Sequence, residues 1–208
     1  MSDAYGGQNF AKAKKYFEIG KRLGDPTAST ALARFYQYGI EGDINLQESL
    51  LLDKAGAERG DNRAMYNMGI RKFNPKNCQL PAAESIDYLT KSISGDLAGT
   101  TPLSHTQLGW MFETGCGVKQ DFMRAEAEYK QAAEQNHQLA DLALARLYAT
   151  GDLGEVDIAK AESHLESVTD SEGPSLLQDT FWLYIPNSSF DALTRKAWAD
   201  LNLSLIHI

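Results

Sequence analysis

The chain has 208 residues, 43% of them hydrophobic and 23% charged, with 20 Lys+Arg against 28 Asp+Glu for a net charge of −8. That length and balance suit one folded domain or two small ones, and they exclude a wholly disordered or collagen-like chain. The acidic excess argues against nucleic acid or anionic membrane as a partner held by bulk charge.

No apolar run approaches the ~18–20 residues that a membrane-spanning helix needs, so no integral membrane segment is expected. Met1–Lys15 lacks the apolar stretch of a secretory signal. The two cysteines, Cys78 and Cys116, lie in unrelated contexts, as in a protein of the reducing cytoplasm.

A repeat organises the chain. Asn9–Leu23, with Ala13, Tyr16 and Phe17 on one face, reads as the second helix of a helix pair. Next come Ala28, Leu32, Ala33 and Tyr36, followed by Gly39, and the pattern of small residue, Leu or Met, small residue and aromatic then recurs. Ala64, Met68 and Gly69 match it, with Lys72 in the aromatic position and Phe73 after it. Ser104, Leu108, Gly109 and Phe112 precede Gly115, and Ala140, Leu144, Ala145 and Tyr148 precede Gly151. The anchors Leu32, Met68, Leu108 and Leu144 are 36, 40 and 36 residues apart, the extra four falling in Leu97–Leu103. Each anchor segment reads as a first helix that a glycine ends, where positive φ carries no steric cost. Second helices are expected over Leu46–Arg59, Ala82–Ile93, Asp121–Gln135 and Ile158–Val168. A unit this short cannot bury its own apolar face, so neighbours must stack.

Leu108-Gly109, Phe112, Gly115-Cys116-Gly117-Val118, Asp121, Ala125, Tyr129-Lys130 and Ala132-Ala133 stand at fixed offsets in the third unit. This constellation resembles the Sel-one-like repeat family, relatives of the tetratricopeptide solenoids. The resemblance covers roughly Asn9–Val168 and departs from the family in the second unit, where Phe73-Asn74-Pro75-Lys76-Asn77 replaces a Gly-rich loop. It implies an all-α fold: a short right-handed α-solenoid of antiparallel helix pairs over residues 1–172. The remainder, 173–208, reads as a C-terminal helical cap and a tail. Leu176, Leu177, Phe181 and Tyr184 lie at helical spacing before Pro186, and Phe190, Leu193, Ala197, Trp198 and Leu201 share a second helical face. The exported, disulfide-stapled branch of the family has cysteines where this chain has Ala132, Ala133 and Ala140, so membership of that branch is not expected.

Catalytic chemistry is thinly represented. His105, His137, His164 and His207 include no i,i+4 pair, and the cysteines lack finger spacing, so neither metal nor cofactor is expected. Cys116 sits in a turn with no base beside it in sequence, and no phosphate-binding loop is present. The informative positions lie two before, two after and five after each anchor, on one helical face. They read Thr30, Arg34, Gln37; Tyr66, Ile70, Phe73; Thr106, Trp110, Glu113; and Leu142, Arg146, Ala149. In tetratricopeptide-like solenoids this face lines the concave groove. Arg34, Tyr66, Ile70, Phe73, Trp110, Glu113 and Arg146 are therefore the expected partner-binding residues, with aromatics centred between arginines in the manner of interface hot spots. An equal alternative is that some of these side chains pack between helices. The resemblance implies a non-catalytic adaptor that binds a protein or peptide. The alternatives are a small hydrolase or regulatory enzyme using Cys116 or the histidines, and a structural subunit of an obligate complex.

Overall fold

The computed structural model describes residues 9–73, 78, 82–94 and 99–169, the side chains of 165, 166 and 169 excepted. Among them are nine helices and no strand: α1 Phe10–Arg22, α2 Pro26–Tyr38, α3 Leu46–Glu58, α4 Asn62–Lys72, α5 Ala83–Ile93, α6 Thr101–Thr114, α7 Phe122–Ala133, α8 Gln138–Thr150 and α9 Ile158–Thr169. The first helices of the pairs are α2, α4, α6 and α8, and the second helices are α1, α3, α5, α7 and α9. Two compact units result: 9–73 with 82–94 and 99–104, and 78 with 105–169. The expected C-terminal cap lies outside the described residues.

The helix starts follow from capping chemistry. Asn9, Asp25, Asn45, Asp61 and Asp121 each accept a first-turn backbone N–H that has no partner within its helix. The stops follow from glycine. Gly39, Gly115 and Gly151 take φ of 64°, 69° and 75°, a left-handed conformation that β-carbons disfavour. The degenerate α4 lacks this device and ends at Phe73 in extended conformation.

The repeat aromatic has a backbone role that its side chain does not advertise. The carbonyls of Tyr36, Phe112 and Tyr148 accept the N–H of Asn45, Asp121 and Asp157 at 2.8, 2.8 and 2.9 Å. Each bond spans nine residues and closes the loop between first and second helix.

Small residues set the distance between helices. A β-carbon on Gly69 would lie 2.8 Å from Leu89 Cγ, and one on Gly109 would lie 2.7 Å from the Tyr129 ring. Leu89 and Tyr129 are fully buried as a result. In the first unit Leu32, Ala33 and Leu52 form one cluster with Phe17 and Tyr36 at its edge, and Ala57, Ala64 and Met68 form another. In the second, Leu108, Met111, Phe112, Ala125, Ala140, Leu144, Ala145 and Leu147 are buried.

Leu144 is wholly buried at an anchor position. Leu144→Ala is expected to lower the unfolding free energy by about 2–5 kcal/mol, from lost transfer energy and the residual cavity. Denaturant titration checks this, and a loss under about 1 kcal/mol would contradict the repeat register.

Candidate protein-interaction surface

The face two before, two after and five after each anchor is partly enclosed and partly accessible. Part of it braces successive first helices. Thr30 on α2 donates its hydroxyl to Asp61 Oδ1 at 2.7 Å, and Asp61 Oδ1 also caps α4 by accepting the Ala64 N–H. Thr106 on α6 pairs with His137 Nδ1 at 2.9 Å, and His137 is the residue that precedes α8. Both contacts span 31 residues, so the same repeat position reaches the start of the next first helix in each unit. Burial pushes the His137 imidazole below its ordinary pKa, against the opposing pull of the Asp141 carboxylate.

Glu113 and Arg146 belong to this bracing set. They are 5% and 8% exposed and form an ion pair, Arg146 Nη2 donating to Glu113 Oε1. The Tyr129 hydroxyl donates to Glu113 Oε2 at 2.7 Å, and burial holds that phenol well above its ordinary pKa. Burial also lowers the Arg146 guanidinium from its ordinary value, although arginine remains charged throughout the physiological range. The expectation that Arg146 offers a free cation at the end of a groove is therefore corrected. Positions five after one anchor and two after the next lie 33 residues apart, and here they carry opposite charges that satisfy each other.

The remaining expected residues are accessible. In the first unit, Arg34 on α2 is exposed, while Tyr66 and Ile70 on α4 and Phe73 at its end are half-buried. In the second, Trp110 on α6 is half-buried, one turn before the Glu113–Arg146 pair. Leu142 of the same face is buried core.

A second bracing set was not anticipated from the sequence. His105 Nδ1 lies 2.7 Å from Glu128 Oε2, and His164 Nδ1 lies 2.9 Å from Asp141 Oδ1, each contact spanning 23 residues. These are one pair of repeat positions with acid and base exchanged. They occupy His105 and His164 in contacts between the first and second helices of a pair. His207 lies outside the described residues. Among the described residues no group of three His, Cys, Asp or Glu side chains is placed to hold a metal ion.

Cys78 and Cys116 form a disulfide, their Cα atoms 4.3 Å apart. Beside it, the Gly117 N–H donates to the Cys78 carbonyl at 2.9 Å. The expectation of two unrelated thiols is corrected. Linear distance hid the contact, because 38 residues separate the pair. Cys116 is 1% exposed, so in this state it presents no thiolate to a substrate.

The Sel1 repeat family matches residues 4–25, 26–61, 102–137 and 139–167. The match passes over α4 and α5, yet these helices pack as a pair like the others. None of the curated proteins matches the chain. Among solved structures, a protective antigen of uropathogenic Escherichia coli displaying an SLR fold is similar, with a TM-score of 0.69 and 21% identity over 95% of this chain. The chain spans 42% of that antigen's length. A Sel1 repeat protein from Oxalobacter formigenes aligns over 91% of this chain and 77% of its own length, with 22% identity and a TM-score of 0.65. A protein from Klebsiella pneumoniae described as a sel1 repeat protein aligns over 93% and 92%, with 17% identity and a TM-score of 0.64. These likenesses establish a helical repeat fold.

Two outcomes test the assignments made here. Arg146→Ala leaves the Glu113 carboxylate buried with its cation gone, and should cost about 3–5 kcal/mol of stability. The exposed Arg34→Ala should stay within about 0.5 kcal/mol, and equal losses in thermal unfolding would contradict the division of roles. Denatured, unreduced protein should show no free thiol. Reduction should lower stability by about 2–4 kcal/mol, since the bond closes a long loop. Two free thiols in protein prepared without reductant would contradict the bond.

Proposed function

The chain belongs to the Sel1 repeat family, and from that premise we propose that it is a non-catalytic interaction protein. It holds a protein or peptide segment against the half-buried side chains of its first helices. One observation carries the proposal. On the face where Thr30, Thr106, Glu113 and Arg146 brace helices, Tyr66, Ile70 and Phe73 in the first unit, and Trp110 in the second, keep part of their surface accessible. Large amphipathic side chains fixed on rigid helices lose little entropy on binding and form effective anchors.

Arg34 adds an exposed cation to the surface of the first unit. A carboxylate on the bound segment suits its planar fork. The whole chain carries −8, so a strongly acidic segment is disfavoured and apolar anchoring dominates. A cytoplasmic setting would require Cys78 and Cys116 to be reduced, and the thiol state of the protein as isolated from its own cells decides that point.

A displayed peptide library selected on the folded chain, with affinities measured by calorimetry, tests the proposal. Trp110→Ala should weaken the selected ligand about 30-fold, equivalent to about 2 kcal/mol, while costing stability less than about 1 kcal/mol. Arg34→Ala should act mainly on association rate and salt dependence. Unchanged affinity in Trp110→Ala, or unfolding of that variant, would contradict it.

A further inference from the structure

We propose that the first-helix face of the first unit recognises a partner segment carrying two carboxylates with one apolar side chain between them. The carboxylates meet Arg34 and Arg63, and the apolar side chain packs on Tyr66. The proposal rests on the reading of that face as a binding surface and names the chemistry that the first unit selects.

The repeat register brings the three residues together. Contacts between successive first helices span 31 residues at the position two before the anchor, in Thr30–Asp61 and Thr106–His137. They span 33 residues at the position five after it, in Glu113–Arg146. Two after the anchor the interval falls between these, so Arg34 on α2 stands across from Tyr66 on α4, 66 − 34 = 32 residues on. Arg63 precedes Tyr66 by three residues and shares its side of α4. Two guanidiniums therefore flank one ring, one from the neighbouring helix and one along the same helix.

Neither guanidinium is used inside the fold. Arg34 is exposed and Arg63 half-buried, and among the described residues neither has an ion pair or a hydrogen bond. The other first-helix arginines are committed: Arg71 to Asp53 and Ser49, and Arg146 to Glu113. The carboxylates at the starts of α2 and α4 are committed too. Asp25 accepts the Thr27 N–H, and Asp61 accepts the Thr30 hydroxyl and the Ala64 N–H.

Arg63 also departs from the repeat. Its counterparts, five before each anchor, are Thr27, Leu103 and Leu139. It is the second residue of α4, whose first turn contains no acid, so the helix dipole opposes its charge. A residue that breaks a local rule with no return inside the fold marks a role outside it.

The ligand follows from this layout. In an extended chain residues i, i+2 and i+4 share one face, so acid, apolar and acid at those positions present all three groups together. The planar fork of arginine suits each carboxylate. Two acids are compatible with the chain's −8, because the acidic surplus belongs to the second unit. The described residues of the first unit hold 12 Lys+Arg against 10 Asp+Glu, and those of the second hold 5 against 11.

The probe is a fluorescein-labelled peptide, Gly-Glu-Ser-Phe-Ser-Glu-Gly, titrated into the full chain by anisotropy. Saturable binding is expected. Arg34→Gln and Arg63→Gln should each weaken it about fivefold or more without lowering the thermal midpoint, as should Gln in place of both peptide acids. The double variant Arg34→Glu, Arg63→Glu should prefer a peptide with Lys in place of both acids, a reversal that a merely structural role would not produce. The proposal would be overturned by absence of saturable binding, by equal binding in both single variants, or by full displacement with millimolar inorganic phosphate, which would make this a site for free anions. A library-selected ligand that needs Trp110 but tolerates Arg34→Gln and Arg63→Gln would overturn this proposal alone, whereas a selection that yields no ligand would overturn the broader reading with it.

Discussion

The contact between a residue without a side chain on one helix and a large side chain on its partner sets the geometry of two pairs, α4 with α5 and α6 with α7. Where Gly109 meets Tyr129 and Gly69 meets Leu89, no β-carbon fits between them. The gain is burial of an entire Leu or Tyr, worth about 2–3 kcal/mol each on transfer. The Tyr129 hydroxyl enters the interior with its ring, and Glu113 is the acceptor that makes its burial tolerable. Arg146 then neutralises Glu113 from the next first helix. A close approach within one pair thereby obliges a polar link to the following one, and that link takes two expected binding residues out of the accessible surface.

The same economy runs along the first helices. Thr30 and Thr106 bond to the residue that opens the next first helix, so one interaction caps a helix or orders its start and also fixes neighbouring repeats. Thr30, Thr106, Glu113 and Arg146 on this face are therefore committed, and the accessible remainder includes Tyr66, Ile70, Phe73 and Trp110 together with Arg34. The recognition proposed for Tyr66, Ile70, Phe73 and Trp110 would be the complement of that bracing rather than an addition to it.

Much of this was legible in the residues. Helix ends followed from Gly39, Gly115 and Gly151 after three of the apolar runs, because a glycine stop is local backbone chemistry. The anchors were legible because Leu108 and Leu144 recur at fixed spacing and both are buried. The candidate surface was legible only in part. Spacing placed Glu113 and Arg146 on the right face but could not say that they meet, although opposite charges 33 residues apart, three short of the 36-residue period, were the available signal. The Cys78–Cys116 bond had no such signal, since Cys78 follows the segment where the repeat pattern lapses. The carbonyl bonds of Tyr36, Phe112 and Tyr148 were hidden for another reason: a backbone acceptor leaves no trace in side-chain identity.

A double-mutant cycle on Gly109 and Tyr129, read by chemical unfolding, tests the central constraint most directly. Gly109→Ala alone should destabilise the chain by about 1–3 kcal/mol through overpacking. In a Tyr129→Ala background the ring is gone, and the same substitution should cost close to nothing, giving a coupling energy of at least about 1 kcal/mol. Additive effects, with Gly109→Ala equally costly in both backgrounds, would contradict the claim that this approach sets the spacing of the helix pair.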